Sequence, residues 1–143
     1  MMGSCFSNKE SVAVSSDINQ SNQDFSLPLN QYVNKIHEIT TQEEFNNLIT
    51  HIQNQNILIL CDFYAIWCPP CLQCAPTIEK WGLNDYKTSV IFIKIDVDQN
   101  SELSNQYSVR ALPTFILFKQ GKEIFRLTGS DLLKLKKEID RLK

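Results

Sequence analysis

Apolar and polar positions follow two regimes along the chain. Residues 1–31 hold seven Ser, four Asn and three Gln with almost no aliphatic periodicity. Such a stretch buries too little apolar surface to offset its ordering entropy, so it is expected to be a flexible polar tail. Residues 32–143 read as a folded domain. Val33 to Ile39 predicts a short strand. Thr41 and Glu44 have the spacing of a capping box, and Phe45, Leu48, Ile49 and Ile52 fall at i, i+3, i+4 and i+7, the stripe of an amphipathic helix. Ile57 to Ala65 and Val90 to Val97 are nearly unbroken apolar runs, as strands covered on both faces are. A helix beginning near Cys68 lies between them, and such a strand, helix, strand unit implies a right-handed crossover. Thr114 to Lys119 and Lys122 to Thr128 flank Gln120-Gly121, a two-residue hairpin turn with Gly supplying positive φ. Ser130 is placed to cap a last helix with Leu132, Leu135, Ile139 and Leu142 on one face. The predicted order, βαβαβαββα, gives an α/β fold with a central mixed β-sheet flanked by helices on both faces.

A length of 143 residues suits one domain of roughly 100–200 residues with a short appendage. The tail sets Lys9 against Glu10, Asp17 and Asp24, which accounts for the whole formal charge of −2 and leaves the folded part neutral. No basic patch marks a nucleic-acid partner. The longest early apolar run, Ile57 to Cys61, is far below the span of about 18 residues that crosses a bilayer. The first twenty residues also lack the apolar block of a secretory signal, so the expected compartment is cytoplasmic and reducing. There, an odd count of 5 Cys is poor material for a disulfide framework. Cys61, Cys68, Cys71 and Cys74 crowd together instead, which points to redox chemistry or a metal.

Cys68-Pro69-Pro70-Cys71 stands where a buried strand hands over to a helix, so unpaired N–H groups and the positive end of the helix dipole favour a thiolate there. Cys68, at an exposed tip, is the candidate nucleophile. Cys71, on the inward stripe with Cys74, Ala75 and Ile78, is the candidate resolving thiol. Pro69 and Pro70 are tolerated because first-turn N–H groups have no intrahelical acceptor to lose, and they stiffen the loop. Asp62 interrupts the most apolar strand, where a carboxylate is costly unless protonated or partnered. It could take the Cys71 proton, directly or through water, or merely reach solvent at a strand end. Cys74 could be a third redox thiol, a zinc ligand beside Cys68 and Cys71, or core. His37 and His51 lie in the first strand and helix and Cys61 on the central strand, so no fourth ligand is evident and no metal is expected. Cys61 reads as a small buried hydrophobe, Trp67 as packing or docking, and Trp81 as core or helix end.

At these residues the sequence resembles the thioredoxin family. The resemblance is carried by Asp62-Phe63-Tyr64-Ala65-Ile66-Trp67-Cys68-Pro69-Pro70-Cys71, Pro76, Lys94 to Asn100, Val109 to Phe115, Gly121 and Gly129, and covers residues 33–143. It implies a thioredoxin fold and dithiol-disulfide exchange without metal or organic cofactor. Cys68 and Cys71 would be the attacking and resolving thiols, Asp62 the buried acid and Lys94 the lysine that pairs with it. Pro113 would be a cis-proline placing the Leu112 backbone opposite Cys68, Trp67 a shield for the site, and Pro76 a kink in its helix. It further implies NADPH-dependent thioredoxin reductase as electron donor and disulfide clients such as peroxiredoxins. The alternative is a redox-inactive adaptor of the same fold. Two positions depart from the family pattern. Pro69 replaces the usual Gly, giving a Cys-Pro-Pro-Cys also seen in nucleoredoxins and tryparedoxins. The lost N–H works against the thiolate while the rigidity favours the closed disulfide. Leu72 replaces a basic residue, which bears on partner choice.

In the tail, Met2-Gly3-Ser4-Cys5-Phe6-Ser7 fits a signal for myristoylation at Gly3, with Cys5 adjacent for palmitoylation. Acylation would attach the domain peripherally to the cytosolic face of a membrane. It requires initiation at Met2 or trimming, because Met1 precedes it. The other reading is an inert polar leader.

Overall fold

The structure, a computed structural model, describes residues 31–143. The tail reading, with Gly3 and Cys5, lies outside the described residues. The chain runs β1 (Ile36–Glu38), α1 (Gln42–Ile52), β2 (Leu58–Tyr64), α2 (Pro69–Lys80), a π-helical turn (Trp81–Asp85), β3 (Val90–Asp96), α3 (Ser101–Gln106), β4 (Thr114–Lys119), β5 (Lys122–Thr128) and α4 (Leu132–Leu142). The strands form one sheet in the order β1-β3-β2-β4-β5. β1 and β2 run parallel to β3, whereas β4 is antiparallel to β2 and β5 antiparallel to β4. This is the mixed sheet expected from the element order. Among the described residues no helix is long and apolar enough to cross a membrane.

Period-two alternation sorts the side chains to two faces. Ile59, Cys61 and Phe63 of β2 join Ile91, Ile93 and Ile95 of β3 beneath Phe45, Leu48 and Ile52 of α1 and Leu103 of α3. On the other face Leu58, Leu60, Phe92, Phe115 and Leu117 pack with Cys74 and Ile78 of α2 and Leu135 and Ile139 of α4. Central β2 is therefore buried on both sides, which is why its sequence is almost wholly apolar.

The structure shifts several expected boundaries. The first strand begins at Ile36 rather than Val33, because Asn34 adopts a φ of 64° and breaks the extended chain before the ladder starts. Thr41 caps α1 through the Glu44 N–H at 3.1 Å, but the Glu44 carboxylate reaches back one residue further, to the Thr40 N–H at 3.0 Å. The last helix is capped by Asp131, not Ser130. Asp131 Oδ1 accepts from the Lys134 N–H at 3.0 Å, and its charge also suits the positive helix end. The Gln120-Gly121 turn forms as expected, with φ of 51° and 76°.

The π-helical turn carries no periodicity that sequence could reveal. Here Trp81 and Tyr86 pack edge to face, and Gly82 approaches the sheet so closely that an added Cβ would lie 3.0 Å from Ile36 Cγ1 and 3.1 Å from Phe92 Cγ. Trp81 thus both ends α2 and joins the core.

Candidate active site

β2 delivers the chain to a tight loop at the end of its strand, and α2 starts there with Cys68 as N-cap. Pro69 and Pro70 occupy the first two helical positions and offer no N–H. The first available donor is the Cys71 N–H, which points at Cys68 Sγ at 3.3 Å. Cys68 and Cys71 are joined as a disulfide, with Cα atoms 5.3 Å apart. Cys68 sits at the helix tip, yet it is not exposed as expected: only 3% of its surface is accessible. The sulfur is bonded to Cys71, and both pack on Ala65 with Tyr64, Val97 and Leu112 closing around them.

Access comes through a groove of about 430 Å³. Cys68 lines it and Cys71 does not. Trp67, Pro69 and Pro70 line it from the segment around the start of α2, and Val109, Arg110, Ala111 and Leu112 from the segment before β4. Trp67 is 65% exposed and would be free to swing, except that its indole N–H donates to Asp98 Oδ2 at 2.7 Å. The Leu112–Pro113 peptide bond is cis, as expected, and Leu112 lines the same groove as Cys68. Hydrogen bonds fix this loop from both sides: Thr114 Oγ1 donates to the Ala111 carbonyl at 2.7 Å and the Gly129 N–H to the Pro113 carbonyl at 2.8 Å. Gly129 has a φ of 102°, a conformation costly to any residue with a Cβ.

Asp62 lies on β2 beneath α2, in a cavity it shares with Ala75 and Ile78 of that helix; it is 5% exposed, and Oδ1 has no hydrogen-bond partner among the described residues. Burial pushes its carboxyl from 3.8 up to about 7, against a smaller downward pull from Lys94. The strand-end reading, in which Asp62 reaches solvent freely, is thereby corrected. Lys94 stands opposite Asp62 in the β2/β3 ladder. The expected pairing does not form as an ion pair: among the described residues no salt bridge joins them. The ammonium lies over the Tyr64 ring instead, 4.3 Å from its centroid. Asp62 and Lys94 share a cavity of about 200 Å³ with Ile36, Glu38, Ala75, Ile78 and Glu79.

The other two cysteines of the cluster are separated by the sheet, Cys74 on the α2 face and Cys61 on the α1 face. Burial pushes both thiols up, and Asp62 adds to the effect, so neither is prepared as a thiolate. No group of three His, Cys, Asp or Glu suited to a metal occurs among the described residues. Pro76 lies inside α2, where it has no N–H to give.

The sequence reading missed Asp98, Tyr64, Glu38 and Arg110. Asp98 follows β3 by two residues, and only the fold brings it under Trp67. Glu38 shares the period of Ile36 in β1, which suggests its face, but the strand order that sets it beside Lys94 cannot be read from one sequence.

Comparison with known proteins places this geometry in context. Residues 36–141 match the family model described as thioredoxin. Over 103 residues the chain is 36% identical to Thioredoxin 1 of Plasmodium falciparum, covering 72% of this chain and 93% of that protein. It is 34% identical over 100 residues to Thioredoxin-2 of Pyricularia oryzae, covering 70% of this chain and 55% of that longer protein. The solved structure of the Nicotiana alata thioredoxin NaTrxh superposes with a TM-score of 0.71 at 33% identity, over 78% of this chain and 95% of that one.

Proposed function

The chain belongs to the thioredoxin family, a thiol-disulfide oxidoreductase by that membership and by its Cys68–Cys71 pair, and from this premise we propose how its residues divide the work. The Cys68 thiolate attacks a client disulfide. One client sulfur leaves as a thiolate, and the other joins Cys68 in a mixed disulfide. Cys71, deprotonated by Asp62, then attacks Cys68 Sγ, closing the Cys68–Cys71 bond and releasing the second client thiol. The client gains two electrons and the protein loses two.

The observation that carries this order is position: both sulfurs are buried, but Cys68 is the N-cap at the helix tip, lines the groove and receives the Cys71 N–H, whereas Cys71 lies inside the first turn. The Leu112 backbone before Pro113 is placed to pair with an extended client segment, and Trp67, held by Asp98, lines the same groove. Pro69 and Pro70 leave the Cys71 N–H as the donor to the attacking sulfur. The adaptor reading draws no support, since both cysteines are present and close enough to be joined.

Electrons return from NADPH-dependent thioredoxin reductase, as the family's chemistry implies, and peroxiredoxins are fitting clients. Acylation at Gly3 and Cys5 would hold the domain at the cytosolic face of a membrane. One myristoyl chain binds only marginally and reversibly, and the tail has no polybasic patch, so palmitate must supply the second anchor. Cys71→Ser tests the division of labour: it should accumulate covalent client adducts, all through Cys68 by peptide mapping. Adducts through Cys74 would overturn it.

A further inference from the structure

Glu38, Lys94 and Asp62 form one row across three strands, since Lys94 is in register with Glu38 of β1 on one side and Asp62 of β2 on the other. Lys94 therefore has two carboxylates within reach of a flexible stem and forms an ion pair with neither among the described residues. Its ammonium is stationed over the Tyr64 ring. Tyr64 is two residues from Asp62 on the same face of β2, and its hydroxyl donates to Glu38 Oε1 at 2.7 Å. The ring also packs against the Ala65, Cys68 and Cys71 cluster. One side chain thus packs on the cluster that holds the dithiol, carries the lysine on its ring and binds the far carboxylate through its hydroxyl.

We propose that Tyr64 is a positioning residue for disulfide exchange: its ring, anchored through its hydroxyl to Glu38, holds the Lys94 ammonium off Asp62 and so decides how much positive charge the proton acceptor feels. Three facts agree with this role. Asp62 Oδ1 is left without a partner although a cation stands opposite it in the ladder. A cation over an aromatic face is attracted strongly enough to compete with a partly solvated ion pair. Burial, reinforced by Glu38, pushes the Tyr64 hydroxyl well up, so it remains a donor at all working pH.

The groups facing Asp62 are few enough to test. Lys94 comes from β3, Glu38 from β1, and Cys74 and Glu79 from α2, while β4 sets the apolar Phe115 opposite it. Among the described residues facing it, Lys94 alone carries positive charge. Removing the ring frees it to close on Asp62, which favours the carboxylate, and an opposite charge at contact distance lowers a carboxyl midpoint by roughly 1–3 units.

The inference rests on Asp62 being the proton acceptor of the resolving step, and the experiment separates the two. The Asp62 carboxyl is titrated directly by carbon NMR in wild type, Tyr64→Leu, Tyr64→Phe, Lys94→Met and the Tyr64→Leu/Lys94→Met double variant, with the pH profile of disulfide reduction measured beside it. Tyr64→Leu should move the carboxyl midpoint and the profile down together by about one unit. Tyr64→Phe keeps the ring and should move them by less. Lys94→Met should move them up, and adding Tyr64→Leu to it should produce no downward shift. An unchanged midpoint in Tyr64→Leu overturns the role of Tyr64, as does an equal downward shift without Lys94, which would trace the effect to water entry. A midpoint that moves while the profile stays fixed overturns Asp62 as proton acceptor, and with it any part for Tyr64 in the exchange.

Discussion

At Asp62 the sequence and the structure agree on a conflict, a carboxyl on a strand covered on both faces. Its folded midpoint of about 7, against 3.8, means that the native state holds a proton that the unfolded chain has already released between those values. Stability from this group is therefore complete below pH 3.8 and declines as pH rises to about 7, by something on the order of 4 kcal/mol. Asp62→Asn should remove that decline and raise stability at pH 8 by about 2 kcal/mol, the rest being offset by desolvation of the amide. Denaturant melts at pH 4 and pH 8 measure it, and the same variant should slow the resolving step near neutral pH. A variant less stable than wild type at pH 8 would contradict the account. Trp67 offers a second residue-scale test. Among the described residues its exposed indole is held by Asp98 alone, so Asp98→Ala should raise the KM for protein disulfides severalfold while leaving the melting temperature nearly unchanged.

Elements were legible in proportion to their periodicity. β4 and β5 match the sequence reading at both ends, and β2, β3 and α1 differ from it by a residue or so, because each carries a long run with one dominant period. α3 has six residues and one buried side chain, too little to show a stripe, and only the fold's alternation implied it. The cap of α4 was misread by one position because Ser130 and Asp131 are both good caps, and backbone geometry chose between them. Asp131→Ala should cost about 1 kcal/mol and Ser130→Ala less than about 0.5, by thermal or denaturant melts. Gly82 is legible only in three dimensions. Gly82→Ala improves helix propensity yet drives a Cβ against Phe92, a ring fixed in the sheet, so a net loss of about 1 kcal/mol is expected. A stabilised Gly82→Ala would show that the π-helical turn can shift.

For the whole molecule, the order of motifs gave the fold class and the dithiol, since Cys-Pro-Pro-Cys after a buried strand is a local signal. What stayed hidden were relations between distant segments: Trp67 with Asp98, Tyr64 with Glu38, and Lys94 resting on Tyr64 rather than on Asp62. Each depends on strand order, which one sequence does not display. The tail poses a separate question. A myristate analogue supplied to eukaryotic cells should label the wild-type chain and not Gly3→Ala, and Cys5→Ser should loosen membrane fractionation. Label absent from wild type would leave the tail without an anchoring role. The central claim, that one dithiol carries both electrons, is tested most directly by mapping the cysteines of the fully reduced protein after reaction with a limiting amount of a disulfide client. The account predicts one Cys68–Cys71 bridge for each client disulfide reduced, with Cys61 and Cys74 remaining free thiols. A bridge that includes Cys61 or Cys74, or client reduction without a Cys68–Cys71 bridge, would contradict it.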